Sequence, residues 1–90
     1  MQKISTSEKV ISNGSENISF RLSLFKGDVS KSFPDNEYTI VSETDASTAI
    51  MPAGKNFVIA KLMFNLFFEK EVLPENLEAI AEDISKGVLL

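Results

Sequence analysis

The 90 residues carry nine Lys and Arg against 13 Asp and Glu, a net charge of −4, and their 43% hydrophobic and 24% charged content is ordinary folded composition rather than disorder. Neither cysteine nor histidine is present, so there is no disulfide framework, thiolate nucleophile or Cys-based zinc site, and the commonest metal ligand and general base is missing. The length predicts a single domain over residues 1–90 with room for one core.

The N-terminal run Met-Gln-Lys-Ile-Ser-Thr-Ser-Glu-Lys lacks the apolar centre of a signal peptide, which predicts a cytoplasmic chain. Ile4 to Ile11 has strand-like spacing, and Ser12-Asn13-Gly14-Ser15 reads as a turn, because Asn-Gly tolerates the positive φ a tight hairpin needs. Ile18, Phe20, Leu22 and Leu24 then alternate with Ser19, Arg21 and Ser23, the period of a strand with one buried and one wet face. Lys26-Gly27-Asp28 ends it, and Pro34-Asp35-Asn36 makes a second break. Glu37 to Ser42 reads as the next strand, with Tyr38 and Ile40 on one face and Thr39 and Val41 on the other. Thr44-Asp45-Ala46-Ser47 forms a turn. Ser47 to Met51 is either a short returning strand, the preferred reading, or a helical turn capped by Asp45 and stopped before Pro52.

Beyond the joint at Pro52-Ala53-Gly54 lies the most apolar segment, Phe57 to Phe68, with four of the seven phenylalanines. Its length, extending to Val72, favours a helix over a strand, and Asn56 is placed to cap it. Lys61, Asn65 and Glu69 recur every four residues as one narrow wet stripe, so nearly all the remaining surface of the helix requires cover. Four exposed Phe side chains would forgo about 6–12 kcal/mol together, comparable with the stability of a whole domain. Clustered aromatics ordinarily fill a protein's own core, yet a thin domain cannot easily surround such a helix. The excess points to a protein partner, most simply a second copy of the chain, with Phe57, Met63, Phe64, Phe67 and Phe68 as candidate contacts. The run is too short to span a membrane, and Lys61 near its middle would cost roughly 2.5–3.5 kcal/mol there. An interfacial helix would show a basic polar face, which this one lacks.

The final helix starts at Pro74, carries Glu75 and Glu78 near its positive end, and spaces Leu77, Ile80, Ala81 and Ile84 along one face, with Gly87 closing it and Val88 folding back. Charge is uneven: residues 1–34 are net +2 and residues 35–90 net −6. Glu75, Glu78, Glu82 and Asp83 gather in this last helix, either as a solvated face or as a patch aimed at a basic protein surface. No basic stripe with interleaved aromatics exists for direct nucleic-acid binding.

Apparent catalytic motifs fail on their chemistry. In Ala49 to Asn56, Ala49 stands where a phosphate-binding loop needs its first glycine, and Asn56 replaces the metal-binding hydroxyl. Glu82 and Asp83, adjacent on a helix, diverge by about 100° and make a poor acid/base pair. The carboxylates Asp28, Asp35, Glu43 and Asp45 match no calcium loop. No enzyme activity and no cofactor are expected.

The order of elements predicts an α+β fold, a small antiparallel sheet of three or four strands in the N-terminal half with two C-terminal helices on one face. That order recurs among small bacterial and phage accessory proteins, an analogy that carries no function. The reading best supported by composition is a non-enzymatic protein-interaction or assembly module, homo-oligomeric or a small subunit of such a complex, using the Phe-rich helix. The alternative is a small acidic inhibitor that occupies the basic cleft of a nucleic-acid-binding protein.

Overall fold

A computed structural model describes residues 2–27 and 38–85. In chain order the elements are β1 (Gln2–Asn13), β2 (Glu16–Lys26), β3 (Tyr38–Glu43), β4 (Thr48–Pro52), α1 (Phe57–Glu69) and α2 (Pro74–Ser85). The strands form one sheet in the order β1-β2-β3-β4, every neighbouring pair antiparallel, and both helices pack on one face, the α+β architecture expected. The residues from Thr48 do return as a strand. The breaks at Asp28 and at Pro34-Asp35-Asn36, the start at Glu37, and the closing Gly87 and Val88 lie outside the described residues.

The β1–β2 hairpin closes through the pair Asn13 and Glu16, leaving Gly14 and Ser15 as a two-residue loop. Gly14 takes the positive φ of 66° that the first loop position requires. Asn13 is therefore the last paired residue, and the turn sits one residue later than Asn-Gly suggests. The β3–β4 turn is held by Thr44: its N–H donates to Ser47 O at 2.9 Å, and its hydroxyl accepts from the N–H groups of Ala46 and Ser47, each at 3.3 Å.

Register explains the core. Phe20, Leu22 and Leu24 share the helix-facing side with Tyr38, Ile40, Ala49 and Met51, and these close against Ala60, Phe64, Phe67, Val72 and Leu77. On β1 the same side carries Ser5, Ser7 and Lys9, the partners of Leu24, Leu22 and Phe20. A polar strand can sit there because lysine stems cover apolar surface while their ammonium groups find partners. Lys9 lies 4.4 Å over the Phe68 ring and 3.5 Å from Glu71, while Lys61 reaches back from α1 to donate to Ser5 Oγ at 2.9 Å. Phe68 in turn stacks on Phe20 with ring centroids 5.8 Å apart.

The opposite face of the sheet departs from the wet face expected of it. Ser23, Thr39 and Val41 are buried there, Ser23 sharing a 3.2 Å hydrogen bond with Thr6 and Thr39 donating to Gly27 O at 3.2 Å. In the register rows Ser23 and Val41 run on to Ile50, and Thr39 lies between Phe25 and Pro52. Each buried hydroxyl has a hydrogen-bond partner, as burial demands.

Asn56 caps α1 as its position suggested, accepting from the Ile59 N–H at 3.2 Å. The helix ends at Glu69, short of Val72, in a Schellman closure: Val72 N–H donates to Phe67 O at 3.0 Å and Glu71 N–H to Phe68 O at 3.2 Å. Glu71 occupies the left-handed position with φ 55°, where glycine is usual, and Val72 folds its side chain into the core beside Phe67. Ser42 Oγ donates to Val72 O at 2.8 Å and so pins the connection between the helices to the sheet.

Candidate protein-interaction surface

Successive residues of a helix turn by about 100°, so burial along α1 defines its orientation. Ala60, Phe64 and Phe67 are buried and mark the inward side. Nearly opposite, Val58, Ile59, Leu62 and Leu66 occupy one arc of about 100° and are 64%, 54%, 62% and 50% exposed. Single exposed aliphatics are normal on any protein, but four contiguous ones on one helix face are not. Phe57, 45% exposed, projects from the other side of the helix, close to Phe64, where its ring meets Tyr38 at 5.7 Å.

The candidate contact set Phe57, Met63, Phe64, Phe67 and Phe68 is thus turned largely inward. Phe64 and Phe67 belong to the protein's own core, Met63 and Phe68 are half-buried against it, and only Phe57 is exposed. What the helix offers outward is aliphatic. The supposed wet stripe is also redistributed: Lys61 leaves it for Ser5 and the Phe64 ring, which it overlies at 4.9 Å. Asn65 and Glu69 remain exposed along one edge of the aliphatic arc, and Lys55 is exposed just ahead of the cap.

Glu75 and Glu78 are exposed on α2, and Glu82 and Asp83 fall within the same helix. Pro74 and Leu77 are buried beneath it. Gly54 and Lys55, the ends of the apparent phosphate loop, belong to the turn that carries β4 into α1: Gly54 O accepts from the Tyr38 N–H at 2.7 Å. Among the described residues, no group of His, Cys, Asp or Glu is arranged to hold a metal ion, and no helix is long and apolar enough to cross a membrane.

A cleft of about 400 Å³ opens where the long β1–β2 hairpin runs past the end of β3, lined by residues including Glu8, Phe20, Arg21, Glu43 and Asp45. Its Arg21 is engaged by Glu8 at 2.9 Å with both side chains well exposed. Among the described residues, the exposed aliphatic face of α1 is the surface that departs most from an ordinary protein exterior.

The fold and this face together define a small α+β protein with an exposed aliphatic helix face. Comparison with protein-family models, curated proteins and solved structures finds no match to the chain.

Proposed function

We propose that the protein is a non-enzymatic, cytoplasmic interaction module that assembles with a second copy of itself through the outer face of α1. The observation that carries this reading is the contiguous exposure of Val58, Ile59, Leu62 and Leu66. Fully burying such a side chain is worth about 1.5–3 kcal/mol, so covering the exposed half of each returns roughly 1 kcal/mol, or about 8 kcal/mol over two copies. Association costs about 4–15 kcal/mol in lost freedom. At the low end of that cost roughly 4 kcal/mol remains, which sets the expectation of a weak, reversible dimer near the millimolar range rather than an obligate one.

Sedimentation velocity over roughly one hundred micromolar to a few millimolar protein, a span set by that affinity, tests it. A weight-average mass rising above the 9.9 kDa monomer supports the reading. Leu62→Glu combined with Leu66→Glu should return the protein to monomer with an unchanged melting temperature, because both positions are exposed. A wild-type protein that stays monomeric throughout overturns self-assembly. Salt separates the acidic-surface alternative, since a complex held by Glu75 and Glu78 weakens steeply with ionic strength and an aliphatic interface does not.

A further inference from the structure

Resting on the self-assembly reading, we infer that the two copies pair their α1 helices antiparallel about a two-fold axis at Leu62. A symmetric dimer uses the same patch twice, so the patch must be complementary to itself. Val58, Leu62 and Leu66 form one ridge with Leu62 at its midpoint. Antiparallel pairing sets Val58 of one copy against Leu66 of the other, aliphatic on aliphatic, with Leu62 meeting Leu62.

Charge at the ends of the ridge chooses this direction. Lys55 and Glu69 are both exposed and lie at equal sequence distances on either side of Leu62. Antiparallel pairing brings each Lys55 toward the other copy's Glu69, two opposite-charge pairs, and opposes the two helix dipoles favourably. Parallel pairing would place Lys55 near Lys55 and Glu69 near Glu69. Lys70, also exposed at that end, projects about 80° from Leu62 whereas Glu69 projects about 20° from it, so the ridge itself presents the carboxylate. The aliphatic ridge alone accepts either direction, and this charge with the opposed helix dipoles favours the antiparallel one.

The native chain has no cysteine, so introduced thiols report on this geometry alone. Three single variants, Val58→Cys, Leu62→Cys and Leu66→Cys, are oxidised under mild copper catalysis at a concentration where sedimentation shows dimer. A disulfide needs Cα atoms within about 7 Å. Leu62→Cys alone should cross-link to a covalent dimer, Val58→Cys alone and Leu66→Cys alone should not, and an equimolar mixture of those two should give the mixed disulfide. Efficient cross-linking of Val58→Cys and of Leu66→Cys by themselves would show parallel pairing and overturn the inference while leaving self-assembly intact. A dimer by sedimentation in which none of the thiols cross-links would place the interface elsewhere and also overturn it. Monomer at every concentration overturns both readings. As a second measurement, Lys55→Glu should weaken dimerisation about two- to ten-fold at low salt and Glu69→Lys similarly, with the combined variant restored. No restoration in the combined variant counts against the antiparallel arrangement.

Discussion

Ser42 and Glu71 show how single side chains hold the turn between the helices in place. Ser42 is fully buried and donates to Val72 O, the one link from β3 to that turn through a side-chain hydroxyl among the described residues. Ser42→Ala leaves the Val72 carbonyl without this donor and should lower stability by about 1–3 kcal/mol in urea unfolding. Glu71 is unusual because a side chain with a Cβ is strained in the left-handed region. Its carboxylate meets Lys9 at 3.5 Å, but both partners are substantially exposed, so the pair offsets little of that strain. Comparing Glu71→Gly with Glu71→Ala removes the ion pair from both and isolates the backbone. The glycine variant should be the more stable by about 1 kcal/mol, and equal stabilities would mean that the turn relaxes to accept Cβ.

Among the elements, strand positions followed directly from the residues because period two and turn chemistry agree: Phe20, Leu22 and Leu24 are buried on the predicted face. The facing of α1 did not follow. The spacing of Lys61, Asn65 and Glu69 points all three to water, whereas Lys61 is long enough to lie along the core and bond Ser5. Once Lys61 turns inward, the outward arc falls on Val58, Leu62 and Leu66. Nor could the residues of α1 alone reveal which side the sheet takes, since aromatic and aliphatic faces are both suited to burial. The polar inner side of β1 was equally hidden, because Ser5, Ser7 and Lys9 resemble a solvent-facing row until register sets them beside Leu24, Leu22 and Phe20. Asn56, by contrast, was recognisable from its place before the apolar run. Asn56→Ala should cost about 1 kcal/mol of stability, read by thermal or denaturant unfolding, through loss of the bond from Ile59 N–H.

Among the described residues the sheet and both helices share one core, so damage at its centre cannot stay local. Leu22 is fully buried between the sheet and the helices. Leu22→Asp places a carboxylate there with no partner, at a cost of several kcal/mol, enough to remove cooperative unfolding from a small domain. Retention of a parental melting curve by that variant would contradict the facing of β2. The outer face of α1 behaves differently, because charge placed at Leu62 reaches solvent and should affect assembly alone. The two variants separate what folds the chain from what joins its copies.

The simple succession of strands also has a kinetic consequence. Among the described residues, each strand of the order β1-β2-β3-β4 is hydrogen-bonded to its neighbours in sequence. No distant strand has to be captured before its neighbours are in place, so each pairing closes a short loop at modest entropic cost. Chains dominated by such local pairings cross their folding barrier quickly, and α/β domains of this kind refold on the order of milliseconds. Stopped-flow refolding from urea should show a fast, single-exponential phase whose rate is independent of protein concentration, with any dimer forming afterwards in a slower, concentration-dependent step.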